Sequence, residues 1–413
     1  MHILFTSLAF PFPPNKGHRV RNSSLLLALA REGHRVTLVS FAGPEDSSHL
    51  PQAERCCERV VTVPEPRPHM LWDLLSRLGA VFTATPFGVK RFSQPQMAAA
   101  LLTELHRDVY DVVICDDIYM FGNLPSRGDA PVLLNKHDLT YEIMERYAAY
   151  ENNAIKRAYV RLEARNVKRW EIRVCDAAAG VLACSERDCH IIQELCPRTT
   201  VCVVPNVIDV ERYQPLASPD ADDGRTLLYI GAMDWHPNRD AVRYFVREVL
   251  PVVRRLVPGV RFVVAGRGAS QELQNSLQAD DVVFTGEVPD MAAQLAAATV
   301  CVVPLRIGSG TRLKIIEAAA MEKAMVSTSL GAEGLEFAAP GEIMLADTAE
   351  SFAQATAALL DAPERRSQMG RKARIRASES YSIAALQTAL RSALSIICST
   401  ECHVGSVSGS VGP

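Results

Sequence analysis

A glycine-rich turn followed by a helix carries the residue types that bind a phosphate. Residues 304 to 328, PLRIGSGTRLKIIEAAAMEKAMVST, have the pattern of strand, turn, helix and strand. Gly308 and Gly310 bracket Ser309, so the backbone can bend sharply and present N–H groups from Thr311 onward, where the helix dipole also favours an anion. The stretch therefore predicts a phosphate site at the start of this helix.

Glu317 lies inside the same helix, and its apolar neighbours predict that its carboxylate is buried. A lone buried carboxylate is costly unless it is hydrogen-bonded. The two adjacent hydroxyl groups of a nucleotide ribose would satisfy it. The alternative interpretation is a surface turn followed by an amphipathic helix whose Glu caps a neighbouring loop, since glycine-rich motifs often match by chance.

This segment resembles the donor-binding segment of glycosyltransferase family 4, a group of retaining, nucleotide-sugar-dependent enzymes with the GT-B fold. In most members it reads Glu-Gly-Phe-Gly, with a second Glu eight positions after the first. Gly310 matches the first Gly and Glu317 the second Glu, while Ser309 stands where the first Glu would face the donor sugar. The form Gly-Ser-Gly-Thr-Arg-Leu-Lys resembles a subgroup among bacterial exopolysaccharide sugar transferases, in which Lys314 is implied as a diphosphate ligand.

The resemblance also covers the start of the second half, LLYIGAMDWHPNRDAVRYF. Typical members have a Gly-Arg pair and a later Lys that neutralise the diphosphate; here Gly231 matches the Gly and Ala232 replaces the Arg. Arg239 or Asn238 falls near the expected Lys. Arg suits bidentate contact with phosphate oxygens. The donor diphosphate and sugar set implied by the resemblance is Gly17, Arg239, Ser309, Gly310, Thr311, Arg312 and Lys314.

The segment FTGEVPD is similar to the family's strand and turn where backbone groups meet the nucleotide base. The resemblance implies that Gly286 allows close approach and that Val288 packs on the base ring.

Two positions in the first half follow apparent strands. Gly17, in PFPPNKGHRVRN, precedes a helix that begins near Arg19, and family members have a loop here that faces the donor diphosphate and acceptor; the alternative is an ordinary turn. His137, in LLNKHDLTYE, follows a buried strand, and the resemblance implies a His near the donor sugar that Asp138 or Lys136 could orient. The alternative is a structural histidine.

Short β-branched runs alternate with helical patterns along the whole chain, which predicts a doubly wound α/β fold in two parts. Ligands bind such sheets at the carboxyl ends of strands. The fold class expected is GT-B: two Rossmann-like domains facing across a cleft. The expected divisions are an acceptor-side domain at 1–205, a donor-binding domain at 206–382, a helix at 383–398 that returns to the first domain, and a disordered tail at 399–413, with a linker near 217–224.

Composition limits the remaining function classes. The 413 residues suit two domains, and the net charge of −3 with a pI near 6.4 argues against nucleic acid as a partner. No apolar run reaches the roughly 18 residues needed to cross a bilayer, and the N-terminus lacks signal-peptide features, so we expect a cytoplasmic protein. The eleven cysteines lack metal-ligand spacing, which favours buried thiols and no metal.

Residues 141 to 173 are rich in both charges and aromatic rings. Because glutamates offset much of the positive charge, we interpret the stretch as a solvated helix pair. The alternative is a basic face that makes peripheral contact with anionic lipid at the inner face of the cell membrane.

These observations together predict a retaining glycosyltransferase that moves a sugar from a nucleoside diphosphate sugar to a glycan or lipid-linked hydroxyl acceptor, without a cofactor, in exopolysaccharide assembly. His137 would support the sugar and Glu317 would hold the ribose. Two alternatives are a non-hydrolysing sugar-nucleotide epimerase and a catalytically weak nucleotide-sugar binding protein.

Overall fold

The computed structural model describes residues 1–66, 83–125, 130–215 and 223–404, with only the backbone described over 398–404. The chain divides into two compact units. The first unit comprises Met1–Asn206 together with the C-terminal helix, and the second comprises Val207–Ser382.

The first unit is built on a seven-stranded parallel sheet, because its apolar runs are covered on both faces by helices. The strand order is β3-β2-β1-β4-β5-β6-β7, so the order reverses between β1 and β4. The strands are β1 His2–Ser7, β2 Arg35–Ala42, β3 Arg59–Pro64, β4 Val112–Asp116, β5 Val132–Asn135, β6 Gly180–Ala183 and β7 Val201–Val203.

Helices connect these strands in the βαβ manner. They are α1 Gly17–Arg31, α2 Leu50–Glu54, α3 Phe87–Phe92, α4 Pro95–Arg107, α5 Thr140–Tyr150, α6 Ala154–Ala177 and α7 Glu186–Leu195, with 3₁₀ turns at Pro44–His49 and Phe121–Asn123.

The second unit repeats the plan with a six-stranded parallel sheet of order β10-β9-β8-β11-β12-β13, which reverses between β8 and β11. Its strands are β8 Thr226–Ile230, β9 Arg261–Ala265, β10 Val282–Gly286, β11 Val300–Val303, β12 Ala324–Ser327 and β13 Met344–Leu345. Its helices are α8 His236–Tyr244, α9 Leu250–Leu256, α10 Gln271–Ser276, α11 Met291–Ala296, α12 Leu313–Ala320, α13 Ala349–Leu360 and α14 Pro363–Ser380.

The last helix, α15 (Ile383–Val404), packs against the first unit. Arg391 forms an ion pair with Glu32 at the end of α1, with Nη2 2.7 Å from Oε1. Ile397 lies so close to Gly180 that a Cβ there would come within 2.5 Å of the Ile397 side chain. A glycine at the start of β6 therefore lets the helix approach the sheet.

The α/β fold class and every predicted strand are confirmed, with ends that differ by one or two residues. The helix and tail predictions differ from the structure in three places. The sequence of residues 240–256 predicts one helix, and these residues are helical throughout, but the helix begins at His236 and a π-helical turn at Phe245–Val249 lies between α8 and α9. Helix α14 was missed, since its charged sequence has little apolar periodicity. The disordered tail is wrong for 399–404, where α15 continues; 405–413 and most of the linker lie outside the described residues.

Apolar side chains fill the space between each sheet and its helices, as the strand pattern predicts. Of the nine cysteines with described side chains, eight are buried, which agrees with the thiol prediction for that part of the chain. Among the described helices, none combines the length and apolar character that a membrane span needs.

Candidate functional site

The polar side chains of the first unit gather where its strand order reverses. Asp116 is the last residue of β4, Asn135 is the last residue of β5, and His137 follows two residues later. Because parallel strands end at one edge, residues distant in sequence meet there. Helix α1 starts at the same edge and contributes Asn22, which is fully buried.

We call Ser7, Asn22, Asp116, Asn135 and His137 the His137 cluster. Its centre is the Asp116 carboxylate, which is 1% exposed. Oδ1 lies 2.5 Å from His137 Nε2 and accepts from Asn135 Nδ2 at 3.0 Å. Oδ2 accepts from Asn22 Nδ2 at 2.7 Å and from the backbone N–H of residue 8 at 3.2 Å, and Ser7 Oγ, which donates to the carbonyl oxygen of Ala9, lies 3.3 Å away. Four donors therefore satisfy this buried charge, as burial requires.

His137 and Asp116 form an ion pair at the centre of this cluster. Burial lowers the pKa of His137, but the charge of Asp116 and its hydrogen bond outweigh burial and raise that pKa above its usual value. The pKa of Asp116 is correspondingly held below its usual value, because the favourable contacts with His137 and Asn22 exceed the cost of burial. The pair is thus held as imidazolium and carboxylate to a higher pH than an isolated histidine would allow.

Two basic residues of α1 flank the cluster. Arg21, 2% exposed, donates from Nε to Asn135 Oδ1 at 2.9 Å and from Nη1 to Asn206 Oδ1 at 3.0 Å. Burial, followed by repulsion from His137, lowers the pKa of His18 to about 4. His18 is therefore neutral at physiological pH and can accept or donate one hydrogen bond.

The partner predicted for His137 was wrong. Lys136 points elsewhere and pairs with Glu171, with Nζ 2.7 Å from Oε1. Asp138 accepts a hydrogen bond from the hydroxyl of Thr140 at 3.1 Å. Alternation along an extended segment sends neighbouring side chains in different directions, so the residue that orients His137 comes from the adjacent strand β4.

The second unit places a lysine at its own strand reversal. Lys314 Nζ donates to Tyr229 Oη at 2.9 Å and to Asn238 Oδ1 at 3.1 Å, and it lies 4.1 Å from the centre of the Tyr229 ring. Tyr229 Oη also donates to Asn238 Oδ1 at 2.7 Å. We call Tyr229, Asn238 and Lys314 the Lys314 cluster. No carboxylate is among its members.

Burial and the nearby Arg312 lower the pKa of Lys314 to about 7, and Glu317 only partly opposes them. A bound anion would restore the charged form of this lysine, because an opposite charge raises an amine's pKa. The cluster therefore has the electrostatic character of an anion site.

Glu317 lies one helical turn after Lys314 on α12 and is half-buried. The hydroxyl of Tyr213 donates to its Oε1 at 3.0 Å. Burial raises the pKa of Glu317, and the Tyr213 hydrogen bond and Lys314 oppose the rise. Among the described residues, Oε2 accepts no hydrogen bond, so Tyr213 satisfies one oxygen and leaves capacity for a further donor.

The glycine-rich turn before α12 has the backbone that its sequence predicts. Gly308 has φ of 144° and Gly310 has φ of 72°, a region that favours glycine. Arg312 is 8% exposed and donates to the carbonyl oxygens of Ser309 and Gly310, and at 3.3 Å to that of residue 330. Its guanidinium holds the turn in shape; a diphosphate contact from Arg312 stays a prediction.

The remaining predicted ligand-binding residues belong to neither the His137 cluster nor the Lys314 cluster. Arg239 is half-buried and donates to the carbonyl oxygen of Met233 at 2.7 Å. Gly286 ends β10 with φ of 70°, and Val288 follows it half-buried. Gly17 is exposed at the first position of α1, where a Cβ would meet no atom within 4 Å. Ligand contacts by these four residues stay predictions.

Sequence reasoning missed Asp116, Tyr213 and Tyr229. Asp116 had a detectable signal, because it directly follows the apolar run of β4 and so occupies a strand's carboxyl end. Tyr229 lies within an apolar strand, and Tyr213 is 104 residues from Glu317, so neither contact has a local signature. Among the described residues, no group of three His, Cys, Asp or Glu is placed to bind a metal ion.

Comparisons with known proteins cover most of the chain. The family model described as Glycosyltransferase Family 4 matches residues 16–212, and the model described as Glycosyl transferases group 1 matches residues 224–362. A relative from Klebsiella pneumoniae, described as an uncharacterized 44.6 kDa protein in the cps region, is 23% identical over 345 residues, 80% of this chain and 84% of the relative.

Solved structures share the fold over nearly the whole chain. Sucrose-phosphate synthase from Thermosynechococcus elongatus superposes with a TM-score of 0.72 and 18% identity, covering 97% of this chain and all of that one. HepE from Anabaena, solved in complex with UDP and glucose, superposes with a TM-score of 0.67 and 15% identity, covering 96% and 99%. At these identities the likeness shows the fold alone.

Proposed function

The chain belongs to glycosyltransferase family 4 and has the GT-B fold, and from that premise we propose that it transfers a sugar from a nucleoside diphosphate sugar to a hydroxyl acceptor with retention of anomeric configuration. The proposed setting is assembly of exopolysaccharide or a related cell-surface glycan. The relative from a Klebsiella cps region supports that setting, and the complex of HepE with UDP supports a nucleotide donor.

One observation carries the proposal: three features suited to a nucleoside diphosphate occur in order along a single turn and helix. The Gly308–Gly310 turn has the glycine-dependent backbone that leads into the N-terminus of α12, Lys314 supplies a cation, and Glu317 supplies a carboxylate oxygen without a protein partner among the described residues. Residues three apart share a face of a helix, so Lys314 and Glu317 can contact neighbouring groups of one ligand. In this proposal Lys314 binds the diphosphate and Glu317 accepts from the ribose hydroxyls.

The proposed reaction breaks the bond between the anomeric carbon and the diphosphate oxygen and forms the bond to the acceptor oxygen on the same face of the sugar. The acceptor's hydroxyl proton moves to the departing diphosphate. Charge that develops on the diphosphate is stabilised by Lys314 and by the N-terminus of α12, where fixed dipoles need no reorganisation. Because these groups supply the positive charge, the proposal requires no cofactor.

His137 is the proposed sugar-contacting residue of the first unit. Asp116 occupies its Nε2, which leaves Nδ1 without a partner among the described residues. The raised pKa favours the imidazolium, which donates from Nδ1 to a sugar hydroxyl or a phosphate oxygen. Asp116 acts as a positioning residue, since it fixes both the ring orientation and the protonation state.

The experiment is incubation with a panel of nucleoside diphosphate sugars, with and without a membrane extract as a source of glycan and lipid-linked acceptors. Acceptor-dependent release of nucleoside diphosphate, with an α-linked product from an α-linked donor, supports the proposal. Release of a free epimer would assign the protein to the epimerases instead. Binding without turnover across the panel would contradict transfer and indicate a binding protein.

Glu317→Ala tests the ribose contact. A hydrogen bond to a charged group contributes about 1.5–3 kcal/mol, so we expect donor affinity to fall about 10- to 100-fold. Glu336→Gln is the matched control, because Glu336 is an exposed carboxylate of the same unit. Equal affinity of both variants for the best donor in the panel would remove Glu317 from the site.

A further inference from the structure

Helix α6 sorts its charged residues onto opposite faces. Arg161, Arg165, Arg169 and Arg173 are all exposed and recur every four residues. Such spacing places them in one stripe about 18 Å long that winds about 40° around the helix at each step, given about 1.5 Å and 100° per residue. We call these four residues the arginine stripe. Among the described residues, none of the four lies within ion-pairing distance of a carboxylate.

The glutamates of the same helix point into the first unit. Glu163 is 4% exposed and accepts from the backbone N–H of Phe87 at 2.5 Å. Glu171, also 4% exposed, pairs with Lys136 and accepts from the backbone N–H of Thr140 at 3.0 Å. Both carboxylates therefore have their partners in the interior, and neither pairs with the arginine stripe.

The expected offset by glutamates holds for part of residues 141 to 173 and not for the arginine stripe. Glu151 pairs with Lys156, and Glu142 pairs with Arg146 and Arg187, so these carboxylates offset other basic residues. On the exposed face of α6, Asp176 is the carboxylate that accompanies the four arginines. The stripe thus keeps most of its charge uncompensated.

An aliphatic side chain lies on the arginine face. Ile155 is 84% exposed at the first turn of α6, and at 100° per residue it projects in the same direction as Arg173. Ile155 lies about 27 Å along the helix from Arg173, so it marks the other end of the same helix face. A helix face that carries both basic residues and an exposed aliphatic side chain is the pattern of a surface helix that lies at a membrane interface.

We propose that the arginine stripe and Ile155 bind a membrane surface rich in anionic phospholipid. Charge complementarity selects lipid phosphates for the four guanidinium groups, each of which can contact a phosphate through two N–H groups. Ile155 enters the boundary between headgroups and acyl chains. The exposed aliphatic side chain of Ile155 on the same helix favours lipid over nucleic acid as the source of these phosphates.

The test is co-sedimentation of the full chain with phosphatidylglycerol-containing vesicles and with pure phosphatidylcholine vesicles, at low and high salt. We expect binding to the anionic vesicles alone, weakened by salt. The double variant Arg165→Gln/Arg169→Gln should lower the partition constant by about 25-fold, since each basic residue near an anionic surface contributes about fivefold. Ile155→Ser should lower it by about tenfold.

The control is Arg247→Gln/Arg255→Gln, which removes the same charge from exposed positions of the second unit. Donor turnover without vesicles should be unchanged in all three variants, so failure of this proposal is distinct from failure of the proposed reaction. Equal loss of vesicle binding in the control pair would overturn the proposal, as would wild-type binding no tighter to anionic than to neutral vesicles. Tighter binding to nucleic acid than to vesicles, insensitive to Ile155→Ser, would assign the stripe to nucleic acid instead.

Discussion

The His137 cluster and the Lys314 cluster occupy equivalent positions in two similar sheets, yet the pKa of the basic residue is raised in one and lowered in the other. Each lies where the strand order reverses, at the carboxyl ends of parallel strands. In the first unit the pKa of His137 is raised, because the anion that pairs with it is Asp116 of the protein itself. In the second unit the pKa of Lys314 is lowered to about 7, because burial and Arg312 act on it without an adjacent carboxylate in its cluster.

The His137 cluster is electrostatically complete without a ligand, whereas the Lys314 cluster depends on one. Four donors satisfy Asp116, so the His137 cluster is ordered before substrate arrives. The second cluster gains most when an anion binds, because that anion recovers the energy lost by burying Lys314. Preorganised donors and cations of this kind are the groups that stabilise a departing diphosphate.

Asp116→Asn, which removes the central carboxylate of the His137 cluster, should have the largest effect on the free energy of unfolding. The variant removes a buried charge beside His137, and loss of one partner of a buried ion pair costs about 3–5 kcal/mol. The pKa of His137 should fall as well, because its counter-charge is gone. Urea denaturation measures the loss of stability, and NMR titration of His137 measures the fall in its pKa.

Asp117→Asn is the matched control for that experiment. Asp117 is the next residue, with φ of 68°, and its Oδ1 accepts from the backbone N–H of Tyr119 at 3.1 Å. Asn tolerates this left-handed conformation, so we expect a loss below about 1 kcal/mol. Equal destabilisation by both variants would show that Asp116 contributes no more to stability than its neighbour, and that the His137 cluster is not held together by this carboxylate.

Replacing Lys314, the cation of the Lys314 cluster, should lower turnover and leave the stability of the fold unchanged. Lys314→Met should lower kcat/KM for the best donor by about 10²–10³-fold, the usual cost of losing one group that stabilises transition-state charge. Lys372→Met removes a charge from an exposed position on α14 and should leave kcat/KM unchanged. Steady-state release of nucleoside diphosphate measures both. Full activity of Lys314→Met would remove this lysine from the reaction.

The lowered pKa of Lys314 also predicts that donor affinity depends on pH. Below pH 7 Lys314 is protonated before and after binding, so its contribution to affinity is fully present. Above pH 7 the free lysine must gain a proton when the diphosphate binds, and affinity should fall about tenfold per pH unit until the raised pKa of the complex is reached. Calorimetric titration with the nucleoside diphosphate, from pH 6.5 to about 9, should show proton uptake that Lys314→Met abolishes. A flat profile in the wild type would contradict the lowered pKa.

The sequence predicted the strands and helices that carry both clusters better than it predicted the side-chain contacts within them. Continuous β-branched runs located the strands, and the glycine-rich turn located α12, because these signals are local. Asp116 was missed because its partners Asn22, Asn135 and His137 come from other segments of the chain. Tyr213 was missed because its contact with Glu317 joins the segment before β8 to a helix 104 residues away. The inward direction of Glu163 on α6 also depends on packing, which no count of charges predicts.

The smallest effect should come from Gly17→Ala at the start of α1. A Cβ there meets no atom within 4 Å, and Gly17 is absent from the positive-φ residues, so the folded chain accommodates alanine without strain. Thermal unfolding should therefore change by less than about 1 kcal/mol in free energy, with a small gain from helix propensity. A rise in KM at unchanged stability would locate a ligand against this turn, whereas Gly310→Ala should cost stability as well, because its φ of 72° is strained for alanine. If both KM and stability of Gly17→Ala match the wild type, the turn is an ordinary connection and the first unit's contribution narrows to the His137 cluster.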